Sequence, residues 1–127
     1  MVRGRVFDVA VDIRRGSPYF GRWVGAELGP GEALWIPPGF AHGLQSLEET
    51  HFLYLVTKEY DPQRDRCIKW DDPTIAVRWP APDKAILGQK IAKTEYYETP
   101  RRHPCAKHRK ITLYYTQKGH KTVVQEY

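Results

Sequence analysis

The sequence predicts an all-β protein, a sandwich or barrel of short strands, from its aromatic content and the spacing of its turns. Four Trp, eight Tyr and four Phe are spread among Val and Ile, which are the residue types that favour strands. Ten Gly and ten Pro divide the chain into short segments, as turns divide consecutive strands. No segment shows prominent helical periodicity. At 127 residues the chain is long enough for one core.

The clearest predicted strand spans residues 5–13, because its side chains alternate between two faces. One face holds Phe7, Val9, Val11 and Ile13, and the other holds Asp8 and Asp12 with Val6 and Ala10. After a turn at residues 14–18, a second strand is predicted over residues 20–28. It contains Trp23 and ends at a Gly-Pro-Gly turn.

Three shorter strands are predicted further along the chain, over residues 33–36, 44–47 and 51–58. In the last of them Phe52, Tyr54 and Val56 share one face, so Tyr54 is expected to face inward among apolar neighbours. From residue 59 onward the chain becomes irregular, with turns at residues 60–62, 70–73 and 79–82. Long connections of this kind are often functional.

A rigid turn before the fourth predicted strand is the strongest local sign of a site. Pro37 and Pro38 fix their φ angles and lack backbone donors, whereas Gly39 and Gly43 admit conformations that other residues resist. His42 is therefore expected to be held rigidly, and a rigid imidazole can bind, polarise or titrate. The same residues also suit a structural turn in which the histidine bonds only to backbone. At this point the sequence leaves both interpretations open.

The excess of positive over negative charge lies in the C-terminal part of the chain. Residues 90–127 hold nine Lys and Arg against three Asp and Glu, whereas residues 1–89 hold 11 against 12. Such a basic tail suits a nucleic-acid or membrane contact, or equally a solvated extension. Only Cys67 and Cys105 are present, and no apolar run approaches membrane-spanning length. We therefore expect a reduced, cytoplasmic setting without membrane contact.

Two kinds of binding site are disfavoured by the residues available. A zinc-like ion needs three or four protein ligands, and the sequence nominates only His42 and, across a bend, His51, so no metal site is expected. A nucleic-acid module could use the basic tail with stacking tyrosines. Those tyrosines are Tyr96, Tyr97, Tyr114 and Tyr115. The tail is poor in the aliphatic residues that would order such a surface, so nucleic-acid binding is the less favoured reading.

Acid–base catalysis is the third possibility. An inward Tyr54, a positioned His42 and Tyr60 could face a substrate that carries a carbonyl group. A buried tyrosine is more often part of a core than a catalyst. The residue types alone therefore do not choose between the two roles.

Six separate segments of the chain support a catalytic role, because together they resemble a known family. They read VFDVAVDIRR at residues 6–15, SP at 17–18, FG at 20–21, LWIPPGFAHG at 34–43, FLY at 52–54 and IKWDDP at 68–73. In order and spacing they closely resemble the dTDP-4-dehydrorhamnose 3,5-epimerase family, cupin-fold isomerases of dTDP-L-rhamnose synthesis for cell-surface polysaccharide. The resemblance covers about residues 2–90.

The resemblance implies an incomplete cupin-type jelly-roll β-sandwich with an irregular C-terminal extension. It also implies a homodimer that epimerises C3 and C5 of dTDP-4-dehydro-6-deoxy-D-glucose without a metal or organic cofactor. The C4 ketone acidifies the protons on both flanking carbons. In the family a histidine removes each proton, a lysine helps to stabilise the enolate oxygen, and a tyrosine returns a proton on the opposite face.

The resemblance assigns roles to five residues of this chain. Tyr54 matches the tyrosine proton donor, and His42 matches a substrate-binding histidine. Tyr60 matches the tyrosine that stacks on the thymine. Asp65 stands where the family has a substrate-contacting Glu, so that it keeps the charge on a shorter arm. Lys90 matches a substrate-contacting lysine.

Two departures from the family set further expectations. The family's upstream region, with its general-base histidine and enolate-stabilising lysine, has no counterpart in this sequence, which suggests a truncation or a late start codon. After Lys90, Ile91 replaces the Asp that orients that base, and a shifted reading frame would explain the basic tail. We thus expect a partial epimerase domain over residues 1–90 and an unrelated tail over 91–127. Without its base the chain is expected to be impaired about 10²–10⁴-fold, or to be a catalytically dead dTDP-sugar-binding cupin.

Overall fold

The computed structural model describes residues 1–56, 65–87 and 110–111. A three-stranded antiparallel sheet forms its centre, in the order β2-β1-β3. The strands are β1 (Val6–Asp12), β2 (Trp23–Leu28) and β3 (Phe40–Ser46). The all-β prediction is confirmed for this part of the chain.

Two smaller elements lie outside this sheet. The strands β4 (Asp65–Arg66) and β5 (Lys110–Ile111) form a short parallel pair. One turn of 3₁₀-helix, Pro82–Lys84, has proline at its start, where the missing N–H has no helical partner to lose. No helix among the described residues is long and apolar enough to cross a membrane.

Strand β1 is central because its alternating side chains are buried on both faces. On one face, here called the Trp79 face, Val9 and Val11 form a core cluster with residues from β3 and from the later irregular segment. The added members are Ala41, Ile68, Ile75 and Trp79. On the opposite face, here called the His42 face, Val6 packs with Leu28 and Leu44. The predicted two-faced pattern of β1 is therefore confirmed.

The irregular segment after β4 is fastened onto the Trp79 face by side chains. Buried Gln45 donates to the carbonyl of Ala81 at 2.8 Å and accepts from the Ala81 N–H at 3.2 Å. Trp79 donates its indole N–H to the carbonyl of Trp70 at 2.8 Å and packs edge-on against Phe7. These contacts cover one side of the sheet with irregular chain and leave the His42 face for other residues.

Four of the predicted strands differ from the structure. The second begins at Trp23 instead of residue 20, because residues 18–21 form a turn. Residues 33–36 form no strand, because they lie between a glycine turn and two prolines and pair with nothing in the described sheet. The strand predicted at 44–47 begins at Phe40, so His42 lies within β3 instead of on the turn. Residues 51–56 make only one bridge, between Arg3 and His51, because a strand also needs a neighbour to pair with. Residues 57–58 lie outside the described chain.

Candidate active site

A buried carboxylate and a buried imidazole meet on the His42 face of the sheet. The register places His42 opposite Ala10, so Asp8 is its diagonal neighbour on β1. Nε2 of His42 lies 2.5 Å from Oδ1 of Asp8. The two residues are only 8% and 2% exposed. A buried charge is normally kept only when it is paired in this way.

The hydrogen bond to Asp8 determines how His42 can meet a ligand. An ionised carboxylate can only accept a hydrogen bond, so Nε2 of His42 carries the proton and donates it. In the neutral ring Nδ1 is then the acceptor. His42 therefore presents a defined nitrogen, on a strand whose register fixes which face the ring occupies. A shift by one residue would move the ring to the Trp79 face.

A second buried carboxylate, Asp12, is the last residue of β1. It accepts from the backbone N–H of Arg14 at 2.9 Å, from its Nε at 3.0 Å and from its Nη2 at 2.7 Å. The hydroxyl of Ser17 donates to the same carboxylate at 2.6 Å. The side-chain hydrogen bond from Arg14 is the main cause that holds the pKa of Asp12 well below its usual range. The carboxylate thus stays charged and holds the loop that follows β1.

Tyr54 lies on the same side of the sheet as His42. Its ring stacks on Phe52 at 6.2 Å between centroids, and Phe52 packs against the cluster of Val6 and Leu44 on the His42 face. Leu53, between the two aromatic residues, is 69% exposed. Phe52 and Tyr54 therefore turn the same way, as the alternation predicts, although no strand forms here.

Burial reinforces the protonated state that the phenol of Tyr54 already has at neutral pH. Desolvation raises the pKa of its phenol above the ordinary value, so the group remains protonated at neutral pH. A protonated phenol can donate a proton or a hydrogen bond. Val56, which the pattern placed on the same face, is instead 41% exposed.

The three remaining sequence-nominated residues lie on β4 or outside the described residues. Asp65 begins β4 and pairs in register with Lys110. Tyr60 and Lys90 lie outside the described residues. The structure thus places His42 and Tyr54 on one face of the sheet, and the roles of all five residues remain predictions.

Sequence reasoning missed Asp8 as a member of this group. The signal was present, since Asp8 lies inside β1, which is otherwise apolar up to its last residue, Asp12. A carboxylate in such a place needs a partner, and that partner is 34 residues further along the chain. Within the described ranges, no group of three or more His, Cys, Asp or Glu could hold a metal ion.

Comparison with known sequences gives a consistent family. The family model described as dTDP-4-dehydrorhamnose 3,5-epimerase matches residues 1–98. A protein of that name from Sinorhizobium fredii is 50% identical over 91 residues, which cover 69% of this chain and 47% of the relative. Its counterpart from Pseudomonas aeruginosa is 50% identical over 90 residues, covering 68% and 50%. The chain therefore spans about half the length of the curated relatives it matches.

Solved structures agree with the sequence comparison. The rmlC epimerase of Mycobacterium tuberculosis superposes with a TM-score of 0.67 at 40% identity, covering 75% of this chain and 50% of that one. A Legionella pneumophila enzyme, dTDP-6-deoxy-D-glucose-3,5-epimerase, was solved in complex with dTDP-4-keto-L-rhamnose. It gives a TM-score of 0.59 at 36% identity and covers 75% and 52% of the two chains. The predicted cupin-type fold is confirmed by these likenesses.

Proposed function

The chain belongs to the dTDP-4-dehydrorhamnose 3,5-epimerase family, and from this premise we propose that it acts in the epimerisation of dTDP-4-dehydro-6-deoxy-D-glucose at C3 and C5. The observation that carries the proposal is the buried Asp8–His42 pair, which shares a face of the sheet with the protonated phenol of Tyr54. These are groups suited to hold a polar sugar and to move a proton. No organic cofactor or metal is part of the proposal.

The proposed role of His42 is to contact the substrate. Its Nε2–H is engaged by Asp8 at 2.5 Å, so the ring can meet a sugar hydroxyl or the C4 oxygen only through its other edge. Because the hydrogen bond with Asp8 fixes the orientation of the ring, it also fixes the position of Nδ1 on the other edge. The pair would therefore orient the sugar ring at little further entropic cost when it binds.

The proposed role of Tyr54 is to return a proton to carbon. Removal of a proton from C3 or C5 places negative charge on the C4 oxygen, as an enolate. The phenol then transfers its proton to that carbon from the opposite face, which inverts the configuration, and solvent reprotonates the phenolate. The phenol is protonated at neutral pH before that step, and desolvation raises its pKa further.

Proton abstraction is assigned to no residue of this chain. The family resemblance carries no histidine of residues 1–127 onto the general base. The 127-residue chain assayed by itself is therefore proposed to bind sugar nucleotide and to exchange the C3 and C5 protons about 10²–10⁴-fold more slowly than a complete site would.

The proposal includes a homodimer and a cytoplasmic location. Exposed Leu53, Leu55 and Trp35 are 69%, 93% and 76% accessible in the isolated chain, and apolar surface of this kind supports association. The outer edges of β2 and β3 pair with no further strand among the described residues. Sedimentation velocity of the purified chain tests the dimer. Two cysteines in 127 residues support a reducing compartment.

Calorimetric titration with dTDP-glucose tests the site, because this nucleotide sugar has a C4 hydroxyl and cannot react. We expect binding that weakens about tenfold in His42→Ala, the usual effect of losing one hydrogen bond to a ligand. Tyr19→Phe, on an exposed tyrosine, serves as a control and should leave the affinity unchanged. Equal affinity of the wild type for dTDP-glucose and UDP-glucose, or an unchanged His42→Ala variant, would contradict the proposal.

The same preparation distinguishes the two alternatives. A dTDP-sugar-binding protein without catalysis would bind dTDP-glucose but show no solvent deuterium at C3 and C5 of the keto sugar. A nucleic-acid-binding protein would instead bind single-stranded DNA with an affinity that falls steeply with salt. That affinity would disappear when residues 91–127 are deleted, because the excess of positive charge lies there.

A further inference from the structure

Arg14 joins the loop after β1 to the first residue of β3. Its Nε and Nη2 donate to the buried carboxylate of Asp12 at 3.0 and 2.7 Å. The same guanidinium lies over the ring of Phe40, with 4.8 Å between its central carbon and the ring centroid. A planar guanidinium can make both contacts at once, in its plane and on its face.

The backbone turn before β3 is shaped around the stem of Arg14. Gly39 has a φ of +89°, and a Cβ added there would lie 2.6 Å from Cγ of Arg14. The carbonyl of Gly39 accepts from the N–H of Ile13 at 3.2 Å. The arginine stem thus occupies the space that a side chain at position 39 would need. The loop and the turn hold each other at this end of the sheet.

The contact of Arg14 with Asp12 and Phe40 lies next to the Asp8–His42 pair, on the same two strands. Asp12 stands opposite Phe40 in the register of β1 and β3, and Ala10 stands opposite His42. Phe40 and His42 are two residues apart, so they project from the same face. A contact that holds Phe40 against Asp12 therefore also holds the side chain of His42 in position.

We propose that Arg14 is a positioning residue for His42: it clamps Asp12 and covers Phe40, and so holds the start of β3 in the position from which His42 meets Asp8. Its effect on the Asp8–His42 hydrogen bond stands on the geometry alone. Its effect on ligand affinity rests also on the proposed function of His42.

Because Arg14 is half exposed, its positioning role can be distinguished from a contribution to the stability of the core. Its side chain is 50% exposed, and it belongs to neither core cluster. Removing it leaves the apolar packing of the sheet in place. The loss of the Arg14 contacts should therefore loosen the structure only locally, at the start of β3 and at His42.

Proton exchange at the imidazole of His42 is the direct readout. In ¹⁵N-histidine-labelled chain, the Nε2–H that donates to Asp8 should give a slowly exchanging signal, assigned by its absence in His42→Gln. In Arg14→Ala we expect its exchange to be at least ~10-fold faster, as loosening of one charge-assisted hydrogen bond implies. Arg14→Lys should give an intermediate rate, because an ammonium keeps the charge but not the fork or the planar stack.

A matched control and a second variant keep the test decisive. Arg3→Ala removes an equally charged side chain that is 69% exposed and pairs with Glu49, and it should leave the His42 signal unchanged. If Arg14→Ala does not fold, Phe40→Leu decides, since it keeps the Asp12–Arg14 contact and removes only the ring. Faster exchange in that variant supports the proposal.

Two results would overturn the inference. One is a His42 signal in folded Arg14→Ala that exchanges as slowly as in the wild type. The other, where Arg14→Ala does not fold, is unchanged exchange in Phe40→Leu. Titration with dTDP-glucose then separates the two claims. Faster exchange with unchanged affinity would uphold the positioning of His42 and contradict its proposed contact with the sugar.

Discussion

Removal of Asp8 should destabilise the fold through His42. Asp8→Ala takes away the acceptor of a buried donor, and both side chains are nearly inaccessible at 2% and 8% exposure, so solvent screens the pair little. Hydrogen bonds to charged groups contribute about 1.5–3 kcal/mol, and an orphaned buried donor costs a similar amount. We therefore expect Asp8→Ala to lower the free energy of unfolding by about 3 kcal/mol.

Two further variants separate the hydrogen bond from the loss of volume. Asp8→Asn keeps an oxygen that can accept from Nε2 of His42, so its effect should be about 1 kcal/mol. In the double variant of Asp8→Ala with His42→Ala the donor is gone as well. The two single effects should then fail to add by about 1.5–3 kcal/mol.

Urea unfolding, followed by the fluorescence of the four Trp of the chain, measures the free energy of unfolding of the wild type and of each variant. Glu49→Ala is the control, since its ion pair with Arg3 spans 3.9 Å between side chains that are 60% and 69% exposed. It should change the free energy of unfolding by less than about 0.5 kcal/mol. Additivity of the two single variants within ~0.5 kcal/mol would refute the claim that Asp8 and His42 act as a pair.

Three other perturbations test the fold. Gly25→Ala should lower the free energy of unfolding by about 1–3 kcal/mol in urea, because a Cβ there would overlap the Phe7 ring. Gln45→Ala should cost about 1–3 kcal/mol in the same assay, since it removes the acceptor of the Ala81 N–H and one of the two donors to the Ala81 carbonyl, the other being the N–H of Lys84. Acid titration tests Asp12. Its pKa is lowered in the folded state, so its contribution is full above the unfolded pKa of about 4 and disappears as pH falls below it. Asp12→Asn should flatten that part of the stability profile.

The strands that could be predicted were those whose burial pattern is local. The alternation of β1 needs no knowledge of its neighbours, and both faces are filled as the pattern indicates. The start of β3 could not be found in the same way. The turn ends at Gly39, whose φ is positive, and pairing with β1 starts the strand at Phe40, four residues before the predicted start at residue 44.

The candidate site was only half visible in the sequence. The rigid approach to His42 and the shared orientation of Phe52 and Tyr54 follow from residue types and alternation. The partnership of Asp8 with His42 depends on the register of two strands joined by a long connection, and no local pattern encodes it. The same holds for Arg14, whose contact with Phe40 exists only once β1 and β3 are paired.

The most direct test of the account is a titration of the ¹⁵N-histidine-labelled chain with dTDP-glucose, followed at individual imidazoles. We expect the His42 signal to shift as the ligand saturates the chain, because the ring contacts the sugar. The His51 signal should stay in place, since His51 is exposed and bridges to Arg3 away from the Asp8–His42 pair. A His42 signal that does not move when calorimetry shows the chain saturated, or the absence of any binding, would contradict the central claim.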